Sequence, residues 1–264
     1  PLQLVFLGNG EAIYEAQGFD LAKNQHDWCR ITYKEEFGKH KLYLHITNWP
    51  LDQEVKLTGI QSQPERIYLL ADPRTTLVSS FNEVVTTISL PSQQPDPLVS
   101  VIVIEYSDYP SVKNGLVAES MSNGYSLTPD NWDEASGDTF MKRAERFGSI
   151  PMHVQVTEQS DYTWKLFLDR PGDYSIDVSY DFQGNSTEGI FKLEAAGKQL
   201  SGIVQKTGRT VGEPGNNWQI DSFNSLRLGS IAIDKPGYYD IKLMIQAPED
   251  NKVGFQWIWL SRED

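Results

Sequence analysis

The chain has 264 residues, room for one large or two ordinary domains whose cores need no disulfide support. Its single cysteine, Cys29, excludes an intramolecular disulfide framework and a multi-cysteine metal site, and its net charge of −13 argues against nucleic acid or an anionic membrane surface as the main partner. No apolar run approaches the ~20 residues of a membrane-spanning helix.

The opening stretch, PLQLVFLGNGEAIYEAQG, sets an apolar run before Gly8 and Gly10. A strand followed by Gly-x-Gly is how a dinucleotide-binding loop begins. That loop needs a third small residue where β-branched Ile13 stands, and Gly18 with the polar DLAKNQHDW breaks any crossover helix. The nucleotide reading is therefore set aside.

Short alternating runs follow. Cys29, Ile31 and Tyr33 alternate with polar residues, as do Leu42, Leu44 and Ile46, and KEEFGKHK between them reads as a hairpin loop containing Gly38. EVKLTGI, RIYLLAD and EVVTTISLP continue the series. LVSVIVIEY is nearly continuous in Val and Ile, the pattern of a strand covered on both faces. Residues 27–107 are expected to form one antiparallel sandwich and residues 108–116, polar and broken by Pro110 and Gly115, a linker. A second strand series fills 117–264. It contains two similar turns, LDRPGDYSIDVSY and IDKPGYYDIKLMI, in which Pro-Gly precedes a tyrosine-bearing strand. Both are expected to be tight turns between neighbouring strands. The fold class is thus all-β, two antiparallel sandwiches, the second a jelly roll or galactose-binding-like module.

NGEAIYEA resembles the motif that closes the catalytic barrel of family 29 glycoside hydrolases, the retaining α-L-fucosidases. RITYKEEFGKHKLYLHITNWP, EVKLTGI and PDPLVSVIVIEY resemble, in order, the sandwich that follows the barrel. The resemblance covers roughly residues 1–107, with Glu15-Ala16 standing where Gly-Thr is common. It implies that residues 1–26 are a remnant of the barrel's last helix and a connector, and that the chain begins inside a longer enzyme. The nucleophile and acid/base of that family belong to the barrel, so no catalytic residue maps onto this chain. The implied partners are the barrel domain of the same protein and, outside the cytoplasm, in the periplasm or the extracellular space, a fucosylated or galactosylated glycan.

Residues 117–264 resemble more loosely the family 6 and family 35 carbohydrate-binding modules, through YTWKLFLDRPGDYSIDVSY and NNWQIDSFNSLRLGSIAIDKPGYYDIKLMI. In family 6 an aromatic after a Thr-Gly-Gly turn stacks on a sugar. TGRTVGEPGNNW brings Trp218, with Asn217 beside it, near that position, although residues are inserted between Gly208 and Trp218. A loop indole offers a flat apolar face and its Asn neighbour offers hydrogen bonds, the pairing a sugar requires; the competing reading folds the indole back as a lid on the sandwich. Trp132, in PDNWDEASG, is the second loop aromatic and the third candidate contact. Trp257 and Trp259 share one side of a strand by spacing and, with Phe255, are expected in the core, as is Trp164. Trp49 is expected between the two sheets of the first sandwich.

The four histidines lack metal-ligand spacing. No cofactor is expected beyond a structural calcium ion, for which Glu119, Asp130 and Asp133 are the nearest acidic residues. The alternative to a glycan-binding region of a glycosidase is a pair of sandwiches that serve structure or protein contacts alone.

Overall fold

The computed structural model describes residues 9–21, 26–142, 153–185, 188–207 and 223–263. The fold is all-β, in antiparallel sheets, and the chain divides into two compact units, Pro1–Ser122 and Asn123–Asp264.

In the first unit a single helical turn, α1 (Gly10–Ile13), precedes nine strands: β1 (Gln17–Gly18), β2 (Cys29–Glu36), β3 (Lys39–Ile46), β4 (Glu54–Thr58), β5 (Arg66–Leu69), β6 (Asp72–Thr76), β7 (Ser79–Asn82), β8 (Val85–Ser89) and β9 (Ser100–Tyr106). One sheet has the order β1-β2-β3-β9-β5-β6 and the other β4-β8-β7. Leu42, Leu44 and Ile46 of β3 and Ile102 and Ile104 of β9 meet Val55, Leu57 and Ile88 of the smaller sheet in the main core. The expected eight-residue loop between β2 and β3 shrinks to Phe37 and Gly38, both at positive φ (52° and 73°), the backbone of a tight hairpin turn. Its charged flanks are strand residues: Lys41 bonds both Glu36 (2.9 Å) and Glu11 (3.1 Å) on the outer face.

The outer face of this sheet carries a second apolar cluster of Tyr43, Tyr68, Val101 and Val103, with fully buried Ala12 of α1 packed on it. Asn9 donates to the Val99 carbonyl (3.3 Å) and the Tyr43 hydroxyl donates to Glu11 (2.9 Å), which holds the turn in place. So β9 is buried on both faces, as its unbroken Val/Ile run predicts. Residues 1–8, read as the tail of a helix, lie outside the described residues. Trp49 does not enter the space between the sheets. It touches the core from the rim, half-buried, and its indole N–H donates to the Pro91 carbonyl (2.9 Å).

The segment read as a linker is a strap on this unit. Val112 bridges to Ile60, Lys113 N–H donates to Gly59 O (2.8 Å), and Leu116 and Val117 are buried. Glu119 pairs with Lys56 of β4 at 2.8 Å, both side chains buried, while the Ser120 hydroxyl (2.6 Å) and Met121 N–H (3.3 Å) donate to Asp27. The compact division therefore falls after Ser122, later than the composition change at residue 117 suggests, because polar residues here find polar partners on the first sandwich.

The second unit contains β10 (Gly124–Leu127), β11 (Glu134–Lys142), β12 (His153–Leu168), β13 (Gly172–Asp181), β14 (Ile190–Ala195), β15 (Lys198–Ile203), β16 (Asn224–Ile233), β17 (Gly237–Gln246) and β18 (Val253–Arg262). The long β12 serves both layers: Val154–Val156 pair with β18, and Gln159–Leu168 pair with β17. Around it run β18, β13 and β16 on one side and β17, β14 and β15 on the other. The outermost strands approach through side chains. A Cβ added to Gly202 of β15 would lie 2.6 Å from the Leu228 side chain of β16.

The two Pro-Gly turns do not join neighbouring strands. Pro171-Gly172 carries the chain from β12 to β13, and Pro236-Gly237 from β16 to β17, pairs that share no ladder. In both, a tyrosine two residues after the glycine bonds back to the carbonyl preceding the proline: Tyr174 to Arg170 (2.8 Å) and Tyr239 to Lys235 (2.7 Å). Each is a corner locked by a tyrosine hydroxyl.

Trp164 is fully buried, with its indole N–H donating to Thr128 O (3.0 Å), and packs with Tyr162 and Phe255. Trp257 and Trp259 depart from expectation. Tyr180 pairs with Phe255 and Ser179 with Trp257, so Gln256 is an extra residue, a β-bulge. The bulge reverses the alternation, and core positions pass from Val253 and Phe255 to Ile258 and Leu260. The two tryptophans stand half-buried on the opposite face.

Candidate functional site

One end of the second sandwich gathers polar side chains around the two anchor points of a long connection. β13 ends at Asp181, β15 is followed by Val204–Thr207, and Phe223 precedes β16. The Thr207 hydroxyl donates to Asp181 Oδ1 (2.9 Å) and accepts the Phe182 N–H (3.0 Å), while Thr207 N–H donates to Phe182 O (2.9 Å). Gln183 Nε2 donates to the same Asp181 oxygen at 2.6 Å. Just before, the Tyr180 hydroxyl donates to Gln205 O (3.0 Å) and accepts from Gln205 N–H (3.1 Å). These bonds satisfy backbone groups that no ladder reaches, and they fix where residue 208 departs.

The returning end is fixed by aromatic packing. The Phe223 ring lies 5.1 Å from buried His153, edge to face, and beside Gly254, which pairs with Asp181 across the β13–β18 ladder. Segment 208–222, which carries Asn217 and Trp218, thus leaves and re-enters the same end; both of those candidate residues lie outside the described residues. Nearby, Lys206 Nζ donates to exposed Asn185 (3.1 Å), and the Asn251 side chain packs against Gly184, where a Cβ would come within 2.3 Å of its oxygen.

The chemistry on offer is a half-buried carboxylate with one oxygen committed to Gln183 and Thr207, an amide and an ammonium group. Acceptors and donors within one small area suit a polyhydroxylated ligand. Sequence reading did not single out Asp181, Gln183 or Thr207; the nearest signal is that Thr207 opens the TGRTVG turn that points to Trp218.

Trp132 is placed otherwise. Asn131 stabilises its loop by accepting the Thr128 N–H (2.8 Å) and donating to Ser126 O (2.8 Å). The indole stacks on Tyr162 with centroids 5.2 Å apart and 17° between planes, and Tyr162 stacks in turn on Phe255 (5.7 Å). Trp132 therefore ends a column of core aromatics as a half-buried lid, and the structure does not bring it together with the Asp181 cluster in any described contact. The acidic residues considered for calcium are committed elsewhere: Glu119 to Lys56 in the first unit, and Asp133 to Lys165 at 2.7 Å. Among the described residues no group of three or more His, Cys, Asp or Glu side chains is arranged to hold a metal ion, and no helix is long and apolar enough to cross a membrane.

No protein-family model matches the sequence, and no curated protein does. Among solved structures, the α-L-fucosidase from Vibrio sp. strain EJY3 is similar over 100% of this chain, with TM-score 0.53 and 15% identity. This chain covers 46% of that fucosidase, less than half of its length. The C-terminal CBM6 of LamC, a marine laminarinase from Zobellia galactanivorans, is similar over 53% of this chain and 100% of the module, with TM-score 0.40 and 14% identity. The CBM6 of Cellvibrio mixtus lichenase 5A, solved with cellotriose, covers 53% of this chain and 97% of its own at TM-score 0.39 and 13% identity. At such identities the first likeness is one of fold alone.

Proposed function

We propose that this chain is the non-catalytic β region of a retaining α-L-fucosidase-like glycoside hydrolase, and that its second sandwich holds glycan at the Asp181–Thr207 end, with Trp218 and Asn217 as principal contacts. The observation that carries the reading is the convergence of Asp181, Gln183, Asn185 and Lys206 on the end from which the Trp218-bearing segment leaves and to which it returns. The whole-chain likeness in fold to a fucosidase supports the assignment of the parent, as do the NGEAIYEA and RITYKEEF stretches of the first unit. Hydrolysis by a retaining glycosidase needs two carboxylates ~5–5.5 Å apart across the scissile bond, and in this reading both come from a catalytic barrel domain of the same protein. The glycan is fucosylated or galactosylated, and the working compartment is the periplasm or the extracellular space.

Calorimetric titration of the chain with fucosylated and galactosylated oligosaccharides tests the binding role. Trp218→Ala is expected to weaken binding by about 1–2 kcal/mol, a several-fold to thirtyfold loss, the effect of removing one stacking aromatic. Unchanged affinity in the variant, or no binding by the parent chain, removes the site. The chain alone is expected to leave an aryl α-L-fucoside intact; turnover that survives rigorous purification would overturn the non-catalytic reading.

A further inference from the structure

The bulge at Gln256 has placed two indoles where strand alternation would have buried them. Trp257 and Trp259 follow one another along β18 on the face away from the core, about 6.8 Å apart by strand rise. The register names what surrounds them. Trp257 stands opposite Ser179 of β13, and Trp259 is flanked by Asp177 of β13 and Ser126 of β10. Farther along, Ser175 and Ser261 share a hydroxyl contact (3.1 Å), and beyond Asp177 stands Arg227 of β16. The Arg227 guanidinium is tied to Asp177 (2.8 Å) and Glu263 (3.4 Å) and remains largely exposed. Gly124 completes the face. A Cβ there would fall 2.4 Å from the Trp259 ring, so the indole lies flat against backbone that only glycine leaves open.

This composition discriminates between occupants. A solvated sheet face has no use for two tryptophans, and a protein-docking face is built around aliphatic and aromatic side chains with charge kept to the rim. Here the cross-strand neighbours of both indoles are serines and a carboxylate, without an aliphatic side chain among them. Flat apolar rings set among hydroxyl, carboxylate and guanidinium groups match a sugar chain, whose pyranose rings have apolar faces and hydroxyl edges.

We infer that the outer face of β10, β18, β13 and β16 is a second carbohydrate-binding surface, with Trp257 and Trp259 as a platform along which a glycan chain lies and Ser126, Asp177 and Arg227 as its hydrogen-bonding border. Its ligand class, though not its location, rests on the glycan-binding reading of the Asp181–Thr207 end. A platform two residues long along a strand suits a polysaccharide backbone, where a loop end suits a terminal sugar.

The test uses the full chain and soluble fucosylated xyloglucan in affinity electrophoresis, comparing the parent with W218A, W257A and W218A/W257A. W257A is expected to weaken retardation roughly tenfold, W218A to leave retardation that depends on Trp257, and the double variant to migrate freely. A measurement that needs no variant accompanies it: xyloglucan should shield Trp257 and Trp259 of the parent chain from N-bromosuccinimide oxidation, read by mass spectrometry of the C-terminal peptide. Retardation abolished by W218A and unaffected by W257A, with no shielding, overturns the second surface and leaves the first. Loss confined to W257A, with shielding, supports the platform and removes the loop-end site. A concentration-dependent dimer in sedimentation that W257A dissolves, without any glycan effect, would make the face a contact between copies and overturn the inference.

Discussion

Glu119→Ala is expected to cost the first unit about 3–5 kcal/mol, the penalty for leaving a buried lysine with no counter-charge. Lys56 and Glu119 are 8% and 6% exposed, and their charged groups meet at 2.8 Å. The pair as a whole need not stabilise the fold, since desolvating two charges offsets most of their attraction. What matters is the asymmetry of removing one partner. Losing the carboxylate also frees the strap at the point where it crosses β4. Urea unfolding followed by fluorescence of buried Trp28 gives the measurement, and the double replacement Lys56→Met with Glu119→Leu serves as control, expected near or above the parent stability. A loss below about 1 kcal/mol in the single variant would mean that water reaches Lys56 and that the strap is not closed over it.

Acidification should weaken the same unit through His26. Burial pushes the pKa of this imidazole from 6.5 down to about 4, against the opposing pull of the Asp27 carboxylate. Its Nε2 accepts the Thr58 N–H at 2.9 Å, so the neutral ring carries its proton on Nδ1 and a second proton would have to displace that bond. The unfolded chain takes up a proton near pH 6.5 and the folded chain only near pH 4. The stabilisation is therefore complete above pH 6.5, is lost progressively as pH falls from 6.5 to 4, and changes no further below that. The full loss is on the order of 3 kcal/mol, most of it present by pH 4.5. His26→Gln keeps an acceptor near Thr58 and removes the titration. Urea midpoints at pH 7.5 and 4.5 should differ more for the parent than for this variant, and equal differences would sink the assignment.

Both effects sit in parts of the chain that sequence reading served unevenly. The Val/Ile run of β9 announces a strand buried on two faces because burial on both sides removes any need for polar residues. β6 and β7 announce nothing: Asp72–Thr76 are all exposed, so these strands form through backbone bonds to their neighbours and carry no apolar alternation. The strap fails for a related reason. Polarity ordinarily marks solvent, and here Glu119 and Ser120 are polar because Lys56 and Asp27 await them. Period-two arithmetic holds along β18 until Gln256, where one added residue changes the side of every position after it; a bulge has no signature in composition. At the candidate site, Trp218 and Asn217 stand out by residue type, whereas Asp181, Gln183 and Thr207 become a cluster only when β13 and the end of β15 are brought together. Trp132 looks like a ligand contact from its loop and turns out to be the cap of an aromatic column, since the loop folds back through Asn131.

Because β12 belongs to both layers of the second unit, those layers cannot part like the covers of a book. Any opening motion would have to break ladder bonds along one half of this strand, and the leucine seam between β15 and β16 resists it from the far edge. Ligand capture by this unit is then a matter of side-chain and loop adjustment on a stiff frame. The entropy of bringing Asp181, Gln183 and Thr207 together, or of aligning two indoles on one strand, is settled when the chain folds and is not charged again when a glycan arrives. A frame of this kind favours shallow, rapidly exchanging contact with many copies of a sugar over slow engulfment of one.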